Sequence, residues 1–509
     1  MLTRDFFKLE GNYLKAFVGL AIFSLIYILP ILIANFYYID DLGRSLHGYT
    51  NWKYNGRPLA DLLAIILSDG KPLMDVSPWI QIMSVGLLDY VLVLFARKFI
   101  PKASVMQIII ISSFAYLNLF LLENLSYKYD SFGMIFSLGI FLLLFALPEK
   151  DVHKKYLMIF SALAALISLC LYQASVGVYI SLTVLEVIAF LYDRQTWRNI
   201  LDRISVRVVG LVFGGLVYKF IIANKYVEKE GYSAEHASFL NPFANDSMQI
   251  FWGNLTAFGE IFKDYWMTMG ILGILLFLTL YFGLGNMARY VWKNRDDAPV
   301  LKIISVVFLM ISPAVLLLAS VIFLSMLRVP VVAPRVMLSF TVFPLFMGLV
   351  IYNLSKTNRW FGKKAFLTLG TIALMCILSF SSYYGNLLNR QEKTNSMIAN
   401  FILHDINDIE GKLGSKVENI SFVGHSPKCR ELVLADRKKP LYGRLVPIYM
   451  NNGWFWGGVY LEHYRKNKVT MRSEIGDSDY IKANRPVKIN EFYQLYLTDD
   501  KLIIYFFEE

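Results

Sequence analysis

Apolar and polar residues alternate along the chain in long blocks, and the apolar blocks approach the roughly 20 residues that a helix needs to cross a bilayer. These runs cover approximately residues 16–34, 79–96, 104–122, 131–147, 156–172, 174–191, 205–223, 267–288, 302–325, 336–354 and 365–383. The pattern predicts a mostly α-helical, polytopic membrane protein with about 11 transmembrane helices.

Basic residues are concentrated in alternate connections, and this distribution predicts the orientation of the spans. The basic connections contain Arg97, Lys98 and Lys102; Lys150, Lys154 and Lys155; Arg194, Arg198 and Arg203; Arg289, Lys293, Arg295 and Lys302; and Lys356, Arg359, Lys363 and Lys364. All of these loops are cytoplasmic if the N-terminus, which carries Arg4, Lys8 and Lys15, is also cytoplasmic. An odd number of spans then places the C-terminal tail on the outer side. The first run is too long for a signal peptide, so we expect it to be a span.

The pattern changes after residue 383. Residues 397–409 have helical spacing, and the short β-prone runs ENISFVG, FYQLYL and KLIIYFF follow. This predicts a small outer α/β domain over residues 384–509, next to a transmembrane domain over residues 1–383 with long outer loops at 35–78 and 224–266. In the first loop, Pro58 can begin a short interfacial helix. In the second loop, SMQIFWGNLTAFGEIFKDYW suits a helix on the membrane surface or an ordinary packed loop.

Composition agrees with a membrane protein and limits the classes of partner. Hydrophobic residues make up 56% of the chain and charged residues 17%, against roughly 45–50% and 25% in soluble domains. A net charge of +11 would suggest nucleic acid in a soluble protein, but here the basic loops account for it. We therefore expect the lipid bilayer as a partner and no nucleic acid. Cys170, Cys376 and Cys429 indicate no disulfide.

The first outer loop concentrates ionisable residues directly after the first span. Asp40 and Asp41 are adjacent there, and carboxylates are costly to place at the mouth of a span, which suggests a function, although loop carboxylates can also simply keep a loop hydrated. Neighbouring side chains point in different directions on a helix or a strand. One carboxylate could therefore be the general base for an attacking hydroxyl, while the other orients an arginine or a backbone group.

Cations at the outer ends of the spans are candidates for binding an anionic leaving group such as a lipid phosphate. They are Arg44, Arg57, Lys128, Arg328 and Arg335. Arg328 and Arg335 bracket VPVVAP, and the alternative interpretation is that both anchor spans at the interface.

Several polar and aromatic residues are candidates for contacting a sugar: Glu123, Asp130, Gln173, Trp454 and Trp456. Structural alternatives exist for each of them, namely a Glu–Lys ion pair, a helix cap, a tight turn, and core packing or an interfacial aromatic belt. His47 and His236 have no partner at metal-ligand spacing, so we interpret both as structural.

Four segments carry a resemblance to a known family. YIDDLGRSLHGYTNWKYNGRPLADLL follows the first span, LENLSYKYDS the third and CLYQAS the fifth, and APRVMLSF precedes the tenth. Together these motifs resemble the Gtr family of bacterial O-antigen glucosyltransferases, known from serotype-converting phages. The resemblance covers roughly residues 20–350. The first two motifs are specific, the last two are weaker, and the tail is not matched.

The resemblance implies a GT-C-like integral membrane glycosyltransferase that depends on a polyprenyl-phosphate-glucose donor and inverts the anomeric centre. Such enzymes move glucose from undecaprenyl-phosphate-glucose to a sugar of the lipid-linked O-antigen repeat, at the periplasmic face of the bacterial inner membrane, and so convert the serotype. The family's catalytic carboxylate maps onto Asp40 and Asp41. A glucosyl-lipid flippase and a synthase are the implied functional partners. We expect no cofactor and no metal, since the sequence shows no second acidic cluster near this loop.

Two alternative functions stay open. A transporter or lipid flippase would have a similar number of spans, but it generally carries ionisable residues near the bilayer midplane, where this chain has few besides Glu186 and Lys219. An O-antigen polymerase or ligase acting on polyprenyl-linked glycans would share the substrate class and the outer-face chemistry. Only the motif in the first loop argues against it.

Overall fold

The computed structural model describes residues 4–148, 153–474, 476–499 and 501–507. Of the basic residues predicted in the connection over residues 150–155, Lys150 lies outside the described residues, while Lys154 and Lys155 lie at the start of the helix Lys154–Leu171. The helices are α1 (Arg4–Phe7), α2 (Gly11–Ala34), α3 (Asp40–His47), α4 (Pro58–Leu67), α5 (Trp79–Phe99), α6 (Val105–Ser113), α7 (Leu121–Ser126), α8 (Ser131–Ala146), α9 (Lys154–Leu171), α10 (Val176–Tyr192), α11 (Trp197–Val217), α12 (Asn224–Tyr226), α13 (Tyr232–Ala237), α14 (Ser247–Asn294), α15 (Pro299–Ser325), α16 (Val342–Thr357), α17 (Lys363–Leu413), α18 (Arg430–Lys438), α19 (Leu441–Leu445), α20 (Trp456–Glu462) and α21 (Asp477–Ala483). Short 3-10 segments cover Trp52–Asn55, Phe114–Leu117, Gln173–Ser175 and Pro334–Thr341, and a π-helical segment covers Tyr218–Ala223.

The predicted mostly helical fold is confirmed. Within the described residues, nine helices are long and apolar enough to cross a bilayer: Gly11–Ala34, Trp79–Phe99, Lys154–Leu171, Gln173–Tyr192, Trp197–Tyr226, Ser247–Asn294, Pro299–Ser325, Pro334–Thr357 and Lys363–Leu413. The other two predicted spans correspond to the shorter apolar helices Val105–Leu117 and Ser131–Ala146. The count of about 11 stays a prediction.

The helices pack mainly as pairs: α5 against α8, α9 against α11, α2 against α17, and α14 against α15. The pair of α2 and α17 is unusually close at Gly385, where a Cβ atom would lie 2.5 Å from backbone atoms of Pro30. Only glycine permits this approach. This contact fixes α17 against α2. Because α17 continues from the apolar region into the tail, the contact also holds the tail near the end of α2.

Two helices extend beyond the runs that the hydropathy pattern defines. α14 joins the aromatic segment of the second outer loop to the following span, with a kink at Gly270, whose φ of 55° and ψ of −133° suit glycine. α17 spans 51 residues and passes through residue 384, the predicted domain boundary, without a break. Hydropathy marks where a helix leaves the bilayer, and it does not mark where the helix ends.

The tail contains the predicted sheet, made of β1 (Asn419–Val423), β2 (Thr470–Met471), β3 (Lys488–Ile489), β4 (Tyr493–Leu497) and β5 (Leu502–Phe506). The strand order is β2-β1-β5-β4-β3. β1 pairs in parallel with β2 and β5, while β4 pairs antiparallel with β5 and β3. The three β-prone runs of the sequence form β1, β4 and β5, so the small C-terminal sheet is confirmed.

Candidate active site

The first outer loop, the α7–α8 turn and the start of the Pro334–Thr341 segment meet at one end of the helical bundle. α2 ends with Asn35 in the left-handed conformation, at φ 48°. Ile39, directly before α3, also has a positive φ of 48°, which is a rare conformation for a β-branched residue. Strained backbone of this kind is found mainly at functional sites, and here it orients the first residue of α3, Asp40.

Asp41 is a buried structural anchor. One of its carboxylate oxygens accepts hydrogen bonds from the backbone N–H groups of Tyr38 at 3.2 Å and Lys128 at 2.8 Å. The other oxygen accepts from the Tyr129 N–H at 3.4 Å. Burial, and then the charge of Asp130, raise the pKa of Asp41 above its ordinary value, against the effect of these donors. Asp41 thus ties the first outer loop to the α7–α8 turn.

Asp40 points the other way, and its side chain is 44% exposed. It lies 3.8 Å from an Arg44 terminal nitrogen and within electrostatic range of Arg335 and of the Tyr127 hydroxyl. The Tyr127 hydroxyl is buried and has no hydrogen-bond partner among the described residues. Of the two adjacent carboxylates, Asp40 is therefore the one that a substrate can reach.

Arg44 and Asp130 form a buried ion pair with an N–O distance of 2.7 Å. The Trp52 indole N–H also donates to Asp130, and the Arg44 guanidinium lies 4.0 Å from the centre of the Trp52 ring. Burial raises the pKa of the Asp130 carboxyl, and the Arg44 charge opposes this effect. These contacts occupy Arg44, which the sequence suggested for phosphate binding, and Asp130, which it suggested for sugar binding.

Arg335 is held at the edge of the site by Glu123. Glu123 accepts the Arg335 backbone N–H at 2.7 Å and a guanidinium N–H at 3.0 Å. The Arg335 carbonyl accepts from the Asn124 amide at 3.0 Å and the Tyr172 hydroxyl at 3.2 Å. Since the Arg335 side chain is 24% exposed, its guanidinium is fixed in place and still accessible to an anion.

Arg57 lies on the other side of Tyr172, with its guanidinium 4.8 Å from the centre of that ring. The Arg57 Nε–H donates to the Gln173 side-chain oxygen at 2.5 Å, and the Gln173 amide donates to the Asn55 carbonyl at 2.6 Å. In the described part of the chain, the two terminal nitrogens of Arg57 donate to no protein group. Gln173 therefore positions Arg57, and the free end of the guanidinium can bind an oxyanion.

A cleft with an apolar wall begins at Arg57. It lies between α4, the start of α8 and the end of α9, and its lining includes Leu63, Leu67, Phe132 and Leu171. α4 is the helix that the sequence predicted from Pro58. It exposes Leu62 and Ile66 on its other side, as a helix lying in the membrane interface would. The cleft thus has a cationic end and an apolar end.

The remaining predicted residues lie away from this opening. The Lys128 ammonium donates to Asn35 at 2.6 Å and to Asp75 at 3.1 Å, and these contacts close the base of the first outer loop. Arg328 is exposed, and its backbone N–H donates to Ser238 in the second outer loop. Trp456 is buried, and a Cβ atom on Gly43 of α3 would lie 3.3 Å from its ring. Trp454 is half-buried and stacks on Tyr449.

Comparison with known proteins decides the family. The family described as Glucosyl transferase GtrII matches residues 29–352, which include Asp40, Arg57 and Arg335. The chain belongs to this GtrII family. A protein of Salmonella phage P22, described as an uncharacterized 55.3 kDa protein in the gtrB 5' region, is 27% identical over 512 residues. The similarity spans 97% of this chain and 98% of that protein. No solved structure shows a significant match.

The tail of this GtrII family member is bonded directly to the loop that carries Asp40. The Tyr449 hydroxyl donates to the Tyr37 carbonyl at 2.5 Å and accepts the Ile39 N–H at 3.3 Å. The Tyr38 hydroxyl donates to the Leu445 carbonyl at 2.7 Å. His463 of the tail stacks on Tyr37, and burial lowers the pKa of this imidazole. The tail therefore helps to hold the strained backbone before Asp40, a role that no sequence motif indicated.

We expect Tyr449→Phe to lower kcat roughly 2- to 10-fold, because it removes hydrogen bonds on both sides of Tyr38, each worth about 0.5–1.5 kcal/mol. KM should change little, and the thermal unfolding midpoint should fall slightly, as in the control variant. The matched control is Tyr480→Phe, which removes one hydrogen bond within the tail, to the Leu497 carbonyl. Equal losses of activity in the two variants would contradict a positioning role for Tyr449.

One group of side chains in the tail has the spacing of metal ligands. His404, Asp405 and Asp408 offer ligand atoms within 4.8 Å of one another. The Lys488 ammonium already pairs with both carboxylates, at 2.5 Å from Asp405 and 2.9 Å from Asp408. Lys488 thus already contacts both carboxylates, and the group is explained as an ion-pair cluster between α17 and β3.

Proposed function

We propose that this membrane glucosyltransferase moves glucose from undecaprenyl-phosphate-glucose to a sugar of the lipid-linked O-antigen repeat at the periplasmic face, and thereby changes the serotype. The observation that carries the proposal is the accessible Asp40 carboxylate within electrostatic range of Arg335 at one end of the spans. Membership of the GtrII family supports glucose as the transferred sugar. The basic loops support an orientation in which this end faces the periplasm.

In this proposal the donor phosphate binds between Arg335 and Arg57. Both residues contact Tyr172: the Arg335 carbonyl accepts a hydrogen bond from its hydroxyl, and the Arg57 guanidinium lies over its ring. The first units of the polyprenyl chain then run along the apolar residues Leu63, Phe132 and Leu171 at the edge of the cleft. A ligand with a charged head and an apolar tail matches a cleft with one cationic and one apolar end.

The reaction then needs one proton acceptor and one stabilised leaving group. Asp40 takes the proton from the acceptor hydroxyl as its oxygen attacks the anomeric carbon. The bond from that carbon to the phosphate oxygen breaks, and polyprenyl phosphate leaves with its charge stabilised by the two arginines. Attack from the face opposite the phosphate inverts the configuration. A flippase and a synthase supply the donor in this scheme, and the chain itself needs no cofactor.

The decisive experiment uses purified full-length protein in nanodiscs, supplied with polyprenyl-phosphate-glucose and lipid-linked O-antigen. The expected result is one glucosylated acceptor for each polyprenyl phosphate released. UDP-glucose in place of the lipid donor should give no product. Transfer from UDP-glucose, or translocation of the glucosyl lipid without transfer, would contradict the proposal, and extension of the O-antigen chain would instead support a polymerase.

We expect Arg57→Gln to raise the KM for the donor by about one order of magnitude or more, since a hydrogen bond to a charged group contributes about 1.5–3 kcal/mol. Arg57→Lys should recover only part of the loss because it cannot form a bidentate contact. The control is Arg328→Gln, which removes the same charge from an exposed position. A KM that rises equally in both variants would indicate a general effect of charge and would rule out a specific phosphate contact at Arg57.

The contacts of the tail suggest where the acceptor binds. The tail is bonded to the Asp40 loop, and it lies outside the matched family region. We propose that the tail and the second outer loop contact the acceptor sugar. Exchanging the tail between two family members that modify different O-antigens should transfer the specificity. Unchanged specificity would show that the acceptor is selected by the membrane part.

A further inference from the structure

A second cavity lies at the opposite end of the bundle from Asp40. It measures about 360 Å³ and is formed where α2, α6 and α17 begin and where α16 ends. The 24 residues of α2, at about 1.5 Å per residue, separate its two ends by roughly 36 Å. This cavity is therefore independent of the proposed transfer site.

The lining of the cavity is cationic and polar. It consists of Asn12, Lys102, Ala103, Ser104, Gln107, Ser355, Lys356 and Lys363. No carboxylate is among the lining residues, and within the described residues none of the three lysines forms an ion pair with an acidic side chain. Three ammonium groups around one cavity repel each other, and an anion between them would remove that repulsion.

The backbone adds to the positive potential. The N-terminal ends of α2, α6 and α17 border the cavity, and each carries a partial positive charge, whereas only α16 presents its negative end. The amides of Asn12 and Gln107 supply neutral hydrogen-bond donors, whereas the hydroxyls of Ser104 and Ser355 already donate to the Gln107 side-chain oxygen and the Tyr352 carbonyl. This donor set suits the oxygens of a phosphate group.

The surroundings indicate a lipid as the source of the phosphate. Leu14 of α2 and Met106 of α6 lie within two residues of the lining and are about half exposed. They belong to apolar helices whose outer surfaces continue into the bilayer, so acyl chains can lie against them while the headgroup occupies the cavity. Basic pockets between spans on the cytoplasmic side are typical binding sites for anionic lipid headgroups.

We propose that this cavity binds the phosphate headgroup of an anionic phospholipid. The test uses full-length protein in detergent, titrated with phosphatidylglycerol, cardiolipin, phosphatidylcholine and inorganic phosphate, with bound lipid counted by native mass spectrometry. The test variant combines Lys102→Ala, Lys356→Ala and Lys363→Ala. The control variant combines Lys155→Ala, Lys293→Ala and Lys364→Ala, which removes the same charge from exposed lysines outside the cavity.

We expect the wild type and the control to bind cardiolipin and phosphatidylglycerol in preference to phosphatidylcholine, and the test variant to lose roughly a hundredfold in apparent affinity. Equal losses in the two triple variants would overturn the proposal, because they would indicate non-specific attraction to the basic face. Binding of inorganic phosphate as tight as that of the lipids would overturn the lipid assignment. If the test variant fails to elute as a folded monodisperse protein, the single variants Lys356→Gln and Lys356→Arg decide, since only the glutamine should weaken lipid binding.

Discussion

Asp40→Asn is expected to lower kcat by on the order of a hundredfold or more, because it removes the proton acceptor without changing the shape of the side chain. The KM for the donor should stay within a few-fold of the wild type, since the proposed phosphate contacts are made by Arg57 and Arg335. Protein yield and the unfolding midpoint should be unchanged, because the Asp40 side chain is 44% exposed. The measurement is glucose transfer in nanodiscs, together with donor binding.

The neighbouring substitution, Asp41→Asn, is the matched control and should behave in the opposite way. Asp41 accepts three backbone N–H groups in a buried position, and an amide nitrogen cannot accept them. Each buried donor left without a partner costs about 1–3 kcal/mol, so this variant should have a lower unfolding midpoint and a lower yield. Full activity in Asp40→Asn, with a selective loss of kcat in a stable Asp41→Asn, would show that the roles of the two carboxylates are reversed.

The sequence could predict that the two carboxylates differ but could not assign their roles. Their directions depend on the positive φ of Ile39 and on the backbone N–H groups of Lys128 and Tyr129, which lie more than 80 positions along the chain from Asp41. Periodicity describes only neighbouring residues, so it contains no information on these contacts.

The same reason explains why the role of the tail was missed. The hydrogen bond from Tyr38 to Leu445 joins residues 407 positions apart, and none of the four family motifs in the sequence lies in the tail.

Local patterns did predict α4 from Pro58, the apolar spans, and strands β1, β4 and β5. They also identified the residues at the outer ends of the spans, but a cation suited to a ligand and a cation paired inside the protein look alike in a sequence. Arg57 and Arg44 illustrate the two cases.

Asp130→Asn is expected to destabilise the protein by about 3–5 kcal/mol, because it leaves the Arg44 charge buried without its partner. The pair is almost inaccessible, with side-chain exposures of 5% for Arg44 and 6% for Asp130. The asparagine oxygen can still accept the Trp52 indole N–H, so the variant isolates the loss of charge. The measurement is the unfolding midpoint of the full-length protein, which is detected as the loss of monodisperse protein on heating.

A pair of equal length on the protein surface provides the control for Asp130. Lys154 and Asp202 are also 2.7 Å apart, but their side chains are 70% and 45% exposed, so Asp202→Asn should leave the midpoint almost unchanged. Adding Arg44→Met to Asp130→Asn should recover most of the stability, since the unpaired charge is then absent. If Asp130→Asn alone is as stable as the wild type, the pair does not hold the first outer loop in place, and Asp130 becomes available for the sugar contact that the sequence suggested.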